Sequence, residues 1–380
     1  MDKPVDIAEQ REQVFSQREA GRLSDFARKE WEFHKDVIDA TLQRGWDNPD
    51  HPWMREMQDF WRYPLAFSSY AIPSLVIIEE DRFAEAADCL RKSILLLKDT
   101  PVWDGWVRKG QGPDPVCCQN IMYKGHLNLL YGLYQMMTGS REFETQFRQL
   151  TAIIVSEYEY NGTQRGFWGI ECEDDQYFPP CNSQGILSVM VYDKVFGTDY
   201  YDRFASKVAR FMAERVSDPA TNLPLYKYHP SHDQAEAYIS GANASWTLTQ
   251  IHVTDSAFTE EAFRNFKRLL IEPDGPDAAY VKECTFAPEP AMGFEESMGI
   301  LYVPGLAREY GDPDLWEKAT RYLARRDGLV DEGAMYRLRG VAPEQETYVQ
   351  SYLLWGSVHE GWRTVLDHDW EGVIRRKAGE

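Results

Sequence analysis

Six times along the chain, a run that is apolar on nearly every side gives way across a short Gly/Asp/Thr turn to a run with one apolar stripe. The first kind reads GILSVMVYDKVF, ANASWTLTQIHV or ESMGILYVPGLA. The second kind places Phe143, Phe147, Leu150 and Ile154, or Phe204, Val208 and Phe211, at the three- and four-residue spacing of one helix face. The turns read EEDRF, TGSREF, GTDYY, VTDSAF, YGDPDL and LDHDW. The first core residue after each (Phe83, Phe143, Tyr201, Phe258, Leu315 and Trp370) recurs every 55 to 60 residues. A fixed period of this kind marks a repeated supersecondary unit. Six buried helices alternating with six half-exposed ones predict an all-α protein, an (α/α)6 barrel with six inner and six outer helices.

The connections sort by kind. Turns from an inner to an outer helix are short. Those from an outer to the next inner helix, roughly 99–118, 157–182, 217–239, 272–293 and 327–346, are long and rich in Pro, Gly and aromatics. The long loops are therefore expected at the end where inner helices begin, and a binding site with them. No linker-like composition divides the chain. Residues 24–380 read as a single barrel domain with an extra N-terminal helix over 24–45, and residues 1–23 as a charged, loosely held arm. The WDGW segment, Trp103 to Trp106, reads as a packed loop.

Composition narrows the class. Of 380 residues, 43% are hydrophobic, and 12 Trp, 21 Tyr and 18 Phe are enough to fill a large core. A net charge of -20 repels phosphate backbones and anionic lipid, which argues against nucleic acid and membrane surfaces as partners. Six cysteines, two of them adjacent at Cys117–Cys118, fit no disulfide framework, and no pair has zinc-ligand spacing. No metal and no other cofactor is expected. The N-terminus MDKPVDIAEQREQ has no apolar leader core and no stretch reaches membrane-spanning length, so the expectation is a cytoplasmic enzyme without membrane insertion.

Two segments carry candidate chemistry. NIMYKGHLNLLYGLYQMMTGS sets Met122, Tyr123 and His126 in the opening turns of an apolar helix, where apolar neighbours disfavour the charged imidazole. IECEDDQYFPPCNS holds Cys172 and Cys181 on either side of Tyr177 and Phe178. Asn182 and Ser183 are natural N-caps for the next helix, and a thiol just before them would feel a dipole that favours thiolate. The plain alternatives are a core histidine bonded to a carbonyl and two cysteines serving as small apolar filler. Among the carboxylates, Asp36 reads as surface charge, Asp174 and Asp175 as solvent-facing, and Glu295 and Glu296 as the acidic opening of the fifth inner helix. An imidazole and two thiols at one greasy mouth point to proton transfer on a small lipophilic substrate.

The same segments resemble the linalool dehydratase-isomerase family. The likeness is close over Asn120–Ser140, strong over Ile170–Tyr200, and looser through KYHP (Lys227 to Pro230), ISGANASWTL (Ile239 to Leu248) and AREYGD (Ala307 to Asp312). It implies the (α/α)6 fold, cofactor-free removal or addition of water with allylic isomerisation of a small terpene alcohol, and a ring-shaped homo-oligomer, such as a pentamer, with sites near subunit interfaces. By the resemblance, the pocket histidine and methionine are His126 and Met122, the cysteine pair is Cys172 and Cys181, and the aromatic wall is Tyr177 and Phe178. An acidic residue supplied by the adjacent subunit falls on Asp36, with Asp39 as the rival. Two family tyrosines become Leu42 and Ala242, which implies a larger, more apolar pocket. The family's structural disulfide is missing, with Asp99 at one of its positions. The competing readings are a carbohydrate-active (α/α)6 enzyme, which would need two facing carboxylates from Asp104, Asp174, Glu295 and Glu296, and a non-catalytic lipophile-binding protein.

Overall fold

The computed structural model describes residues 3–108, 116, 119–283 and 297–379; Cys117–Cys118, Glu295 and Glu296 lie outside them. The described chain is mostly helical. After a two-residue strand β1 (Lys3–Pro4) come α1 (Ile7–Ala20) and α2 (Asp25–Arg44). Six helix pairs follow. They are α3 (Arg62–Ile78) with α4 (Phe83–Leu97); then, after α5 (Thr100–Arg108), α6 (Ile121–Thr138) with α7 (Glu144–Tyr160). Next are α8 (Pro179–Phe196) with α9 (Ser206–Arg215), strands β2 (Tyr228–His229) and β3 (Gln234–Ala235), and α10 (Gly241–Ile251) with α11 (Ser256–Leu270). Strands β4 (Ile271–Asp274) and β5 (Ala278–Val281) precede α12 (Ser297–Glu309) and α13 (Pro313–Asp327). Strands β6 (Leu329–Asp331) and β7 (Tyr336–Leu338) lead to α14 (Pro343–Val358), followed by α15 (Trp362–Asp367) and α16 (Trp370–Ala378).

The alternation predicted from the apolar pattern is present in these elements. Nearly every residue of α3 and α6 is buried, as is α8 from Pro179 to Val189, whereas α4, α7 and α13 bury one stripe each. The strands are short antiparallel ribbons in the long loops, as β2–β3 and β6–β7 show, and β1 adds to β6. The sixth pair departs from the expected form. Its first member ends at Val358, and α15 intervenes before α16.

Two local expectations fail. The supposed loose arm forms α1, capped by the Asp6 carboxylate and with Ile7, Val14 and Gln17 buried; Gln17 donates to the Ser357 carbonyl at 2.9 Å. Its alternating charges had masked a sparse buried stripe. The WDGW segment is helical, inside α5, which Thr100-Pro101 opens with proline in the first turn.

Contacts divide the chain into two compact units. The first comprises Met1–Val102, Glu272–Val281 and Ile300–His368; the second comprises Trp103–Ile271, Lys282–Gly299 and Asp369–Glu380. In the second unit α8 packs on both α6 and α10. Close approach of α8 to α6 and α7 needs missing side chains. A Cβ at Gly132 would lie 2.6 Å from Val191 Cγ1, and one at Gly185 would lie 2.2 Å from the Tyr158 hydroxyl. Between these points Asn128 donates to Thr151 Oγ1 of α7 at 3.0 Å and to Ser188 Oγ of α8 at 3.1 Å, locking three helices together.

Candidate active site

The loop before α8 is held from several sides. Its Tyr177 exchanges both backbone hydrogen bonds with Tyr228 of β2 at 2.9 Å, so two of the long loops are stitched to each other. Cys172 N–H donates to the Gln176 carbonyl at 2.8 Å, closing a tight turn over Glu173–Gln176. Glu171 is buried and takes two hydrogen bonds from the Arg165 guanidinium, one at 2.9 Å.

Asn182 does not cap α8. The helix begins at Pro179, behind Phe178, with proline in its first two positions, where a missing N–H is harmless. The Asn182 side chain is a clamp instead. Its Oδ1 accepts from Ile170 N–H at 2.9 Å, and its Nδ2 donates to the carbonyls of Ile170 at 2.9 Å and Phe178 at 3.1 Å. Ser183 turns back to the Pro180 carbonyl at 2.6 Å. Cys181 is thus the third residue of α8, and the clamp folds the loop so that Cys172 meets it.

The two thiols are neighbours, at 1% and 4% exposure, and Cys181 acts on Cys172. Burial is the main influence on Cys172 and pushes its thiol well above the ordinary range; the neighbouring Cys181 adds to that, while a backbone hydrogen bond from Phe178 opposes it. Cys172 therefore rests as a protonated thiol, a proton donor. Tyr158 of α7 and Tyr177 are fully buried, Tyr158 facing Cys172 and Tyr177 facing both thiols, and burial likewise raises both phenols.

On α6, Asn120 adopts a left-handed conformation and caps the helix by accepting from Tyr123 N–H at 3.2 Å. Met122, Tyr123 and His126 are buried in the first two turns. The His126 ring meets Trp246 of α10, with centroids 5.4 Å apart. Lys124, fully buried on the same helix, pairs with Glu157 of α7; burial raises the Glu157 carboxyl against the pull of that lysine. Phe178 packs edge-on against Tyr226, which stacks on Tyr238. Ala242, at the start of α10, is half-buried, and its N–H donates to the Glu283 carboxylate at 3.3 Å.

His126, Met122, Tyr123, Cys172, Cys181, Tyr177, Phe178 and Ala242 thus all belong to the second unit. Asp36 and Leu42 do not. They sit on α2 in the first unit, exposed at 59% and 39%. Asp36 Oδ2 meets buried His51 Nε2 at 2.9 Å, and the rival Asp39 pairs with Lys92 at 2.8 Å. Asp99 accepts from Trp46 Nε1 at 2.7 Å. Of the carboxylates a sugar site would need, Asp174 is exposed and Asp104 lies on α5; Asp175, expected to face solvent, accepts from Ser231 N–H. Among the described residues, no group of three or more acidic, histidine or cysteine side chains could hold a metal, and no helix is long and apolar enough to cross a membrane.

Sequence reasoning missed Tyr158, Trp246 and the Lys124–Glu157 pair. Tyr158 had a signal: it extends the Phe143, Phe147, Leu150, Ile154 stripe by one more turn. Trp246 and the buried ion pair had none, since each depends on a partner distant in sequence.

A family model described as linalool dehydratase/isomerase matches residues 62–341. Among solved structures, an unsaturated glucuronyl hydrolase specific for heparin superposes with a TM-score of 0.57 at 10% identity, over 94% of this chain and 98% of that one. An inactive variant of the α-1,6-mannanase GH76A of Salegentibacter sp. HEL1_6, in complex with α-1,6-mannotetrose, gives 0.54 at 12% identity, over 88% and 98%. Both are of the (α/α)6 barrel type, and at such identities the likeness is one of fold alone.

Proposed function

The chain belongs to the linalool dehydratase/isomerase family, and from that premise we propose that it is a cofactor-independent hydro-lyase and isomerase acting on an allylic, terpene-type alcohol or alkene. In this reading the six helix pairs close into an (α/α)6 barrel around the site. The observation that carries the reading is the pair of neighbouring buried thiols Cys172 and Cys181, in the same unit as His126. Apolar, water-poor surroundings suit a substrate with one hydroxyl and a hydrocarbon body, whereas a sugar site calls for facing carboxylates.

The chemistry is general acid–base catalysis. In the dehydrating direction an acid protonates the substrate hydroxyl, the C–O bond breaks, and water departs from a cation that allylic delocalisation stabilises. The thiol pair first passes one proton to the oxygen-side group that protonates the hydroxyl; the thiolate left behind then takes a proton from the adjacent carbon, an S–H bond forms, and the C–H electron pair becomes the new double bond. Isomerisation returns water to the other end of the allylic system instead. His126 and Asp36 are assigned to oxygen and water, Cys172 and Cys181 to carbon. Met122, Tyr123, Tyr177 and Phe178 shape the pocket. Asp36 acts from a second copy of the chain in a ring-shaped homo-oligomer, such as a pentamer; the exposure of Asp36 and of Leu42 on α2 supports docking through that helix. Ala242, small where the family has a tyrosine, supports a substrate longer than linalool.

The test is incubation with geraniol, linalool, nerolidol and related alcohols, with products read by gas chromatography, beside a panel of α-1,6-mannan oligosaccharides and unsaturated glucuronides. Conversion of at least one alcohol and no glycan is expected. Glycan turnover alone would overturn the reading in favour of a carbohydrate-active enzyme. Saturable binding of alcohols without turnover would make the protein a lipophile binder.

A further inference from the structure

Cys181 and Gly185 are one turn apart on α8 and so lie on one stripe of that helix. The Tyr158 hydroxyl is pressed onto that stripe, in the space a Cβ at Gly185 would take. Tyr158 interacts electrostatically with Cys172, and Tyr177 with Cys172, Cys181 and Tyr158. Two thiols and two phenols therefore share one buried cluster. Among the described residues, the Tyr158 and Tyr177 hydroxyls are buried and make no hydrogen bond. Buried polar groups are nearly always paired, so two adjacent exceptions call for a reason. Packing does not supply it. The Tyr177 ring is seated among Phe167, Phe211, Val216 and Tyr228, and phenylalanine would fill that seat equally well.

We propose that the Tyr158 and Tyr177 hydroxyls are a donor pair, poised to hydrogen-bond the thiolate that forms when the Cys172–Cys181 pair gives up its proton. The role rests on the acid–base reading above. In the hydrating direction the S–H bond breaks, and the proton forms a C–H bond with the π pair of the alkene. The S–H electrons stay on sulfur as thiolate. Water adds to the allylic cation and releases its proton to the oxygen-side base. The tyrosines keep their own protons and only donate to sulfur. Neutral donors idle in the resting thiol state and engaged in the charged one stabilise the transition state more than the ground state. This is an anion hole built for sulfur. Glu173 also faces Cys172, Tyr228 faces Tyr177, and Glu157, with Lys124, stands beside Tyr158. All of these remain in the variants below, which isolates the hydroxyls.

The test is a titration of thiolate absorbance in the far ultraviolet on the intact protein and on Tyr158→Phe, Tyr177→Phe and the double variant. Each is read as a difference from the matching protein carrying Cys172→Ser and Cys181→Ser. Loss of each hydroxyl is expected to move thiol ionisation upward by about one pH unit. On a substrate the protein converts, kcat is expected to fall about tenfold per hydroxyl with KM unchanged. Melting temperatures check that the variants fold. Superimposable thiol titrations in correctly folded Phe variants would overturn the proposal. Because that readout needs no substrate, it stands apart from the terpene assay: thiol shifts without any alcohol conversion would keep the donor pair and sink the reading it serves.

Discussion

Two polar clusters lie about two turns apart where α7 meets α8 and are built on opposite principles. Around Asn128, every amide and hydroxyl is used: Asn128 serves Thr151 and Ser188, Thr151 returns a bond to Asn128 Oδ1 at 3.2 Å, and Ser188 reaches the Gly185 carbonyl at 2.8 Å. Around Cys181, two thiols have mainly each other, and two phenols are buried without a bond. The first arrangement is a finished structural lock. The second keeps donor capacity in reserve, which stability alone would select against, since an unmet buried polar group costs about 1–3 kcal/mol. Closeness in sequence thus says little about role; satisfaction of the polar atoms separates the two.

That contrast can be broken by substitution. The largest effect belongs to the thiols: Cys172→Ala and Cys181→Ala should each lower turnover by about 10²–10⁴-fold with little change in melting temperature. Normal turnover in both variants, by product analysis, would remove the thiols from the chemistry. Asn128→Ala should do the reverse. It orphans the Thr151 hydroxyl, removes the donor to Ser188, and should lower the unfolding free energy by about 2 kcal/mol, read by urea denaturation, while activity per folded molecule is kept.

The smallest effect is alkaline. Burial raises the folded-state values of Cys172, Tyr158 and Tyr177 above their unfolded ones, so the folded state holds these protons more tightly. The stability this contributes is complete below the unfolded thiol value of 9.0. It is lost as pH rises past that point, by at most about 1.4 kcal/mol per pH unit per group. Cys172→Ala should flatten the onset of that decline in denaturation curves taken from neutral to alkaline pH. An unchanged slope would show that its thiol is not buried as described.

Much of the fold was legible in the chain because helical periodicity is a local property. The recurrence of Phe83, Phe143, Tyr201, Phe258, Leu315 and Trp370 marks the start of each pair's second member to within a few residues, π-helical turn before α9 included. Errors arose where a local signal had two meanings. Charges along residues 7–20 suited an arm or a surface helix, and burial of Ile7 and Val14 decided for the helix. Asn182 before an apolar run suited an N-cap, but two prolines had already started α8, which freed the amide to clamp Ile170.

The same limit applies to the site. Residue types and their order along the chain sufficed to mark His126, Cys172 and Cys181 as candidates, to establish the family, and to set the helix-pair rhythm, since all of these are carried by neighbours in sequence. Tertiary structure alone decided that the two thiols become neighbours, that Tyr158 rests on the Gly185 face of α8, and that Trp246 meets His126. The physical reason is distance along the chain: such contacts depend on how whole helices approach one another, and that approach is set by volumes such as the absent side chains of Gly132 and Gly185.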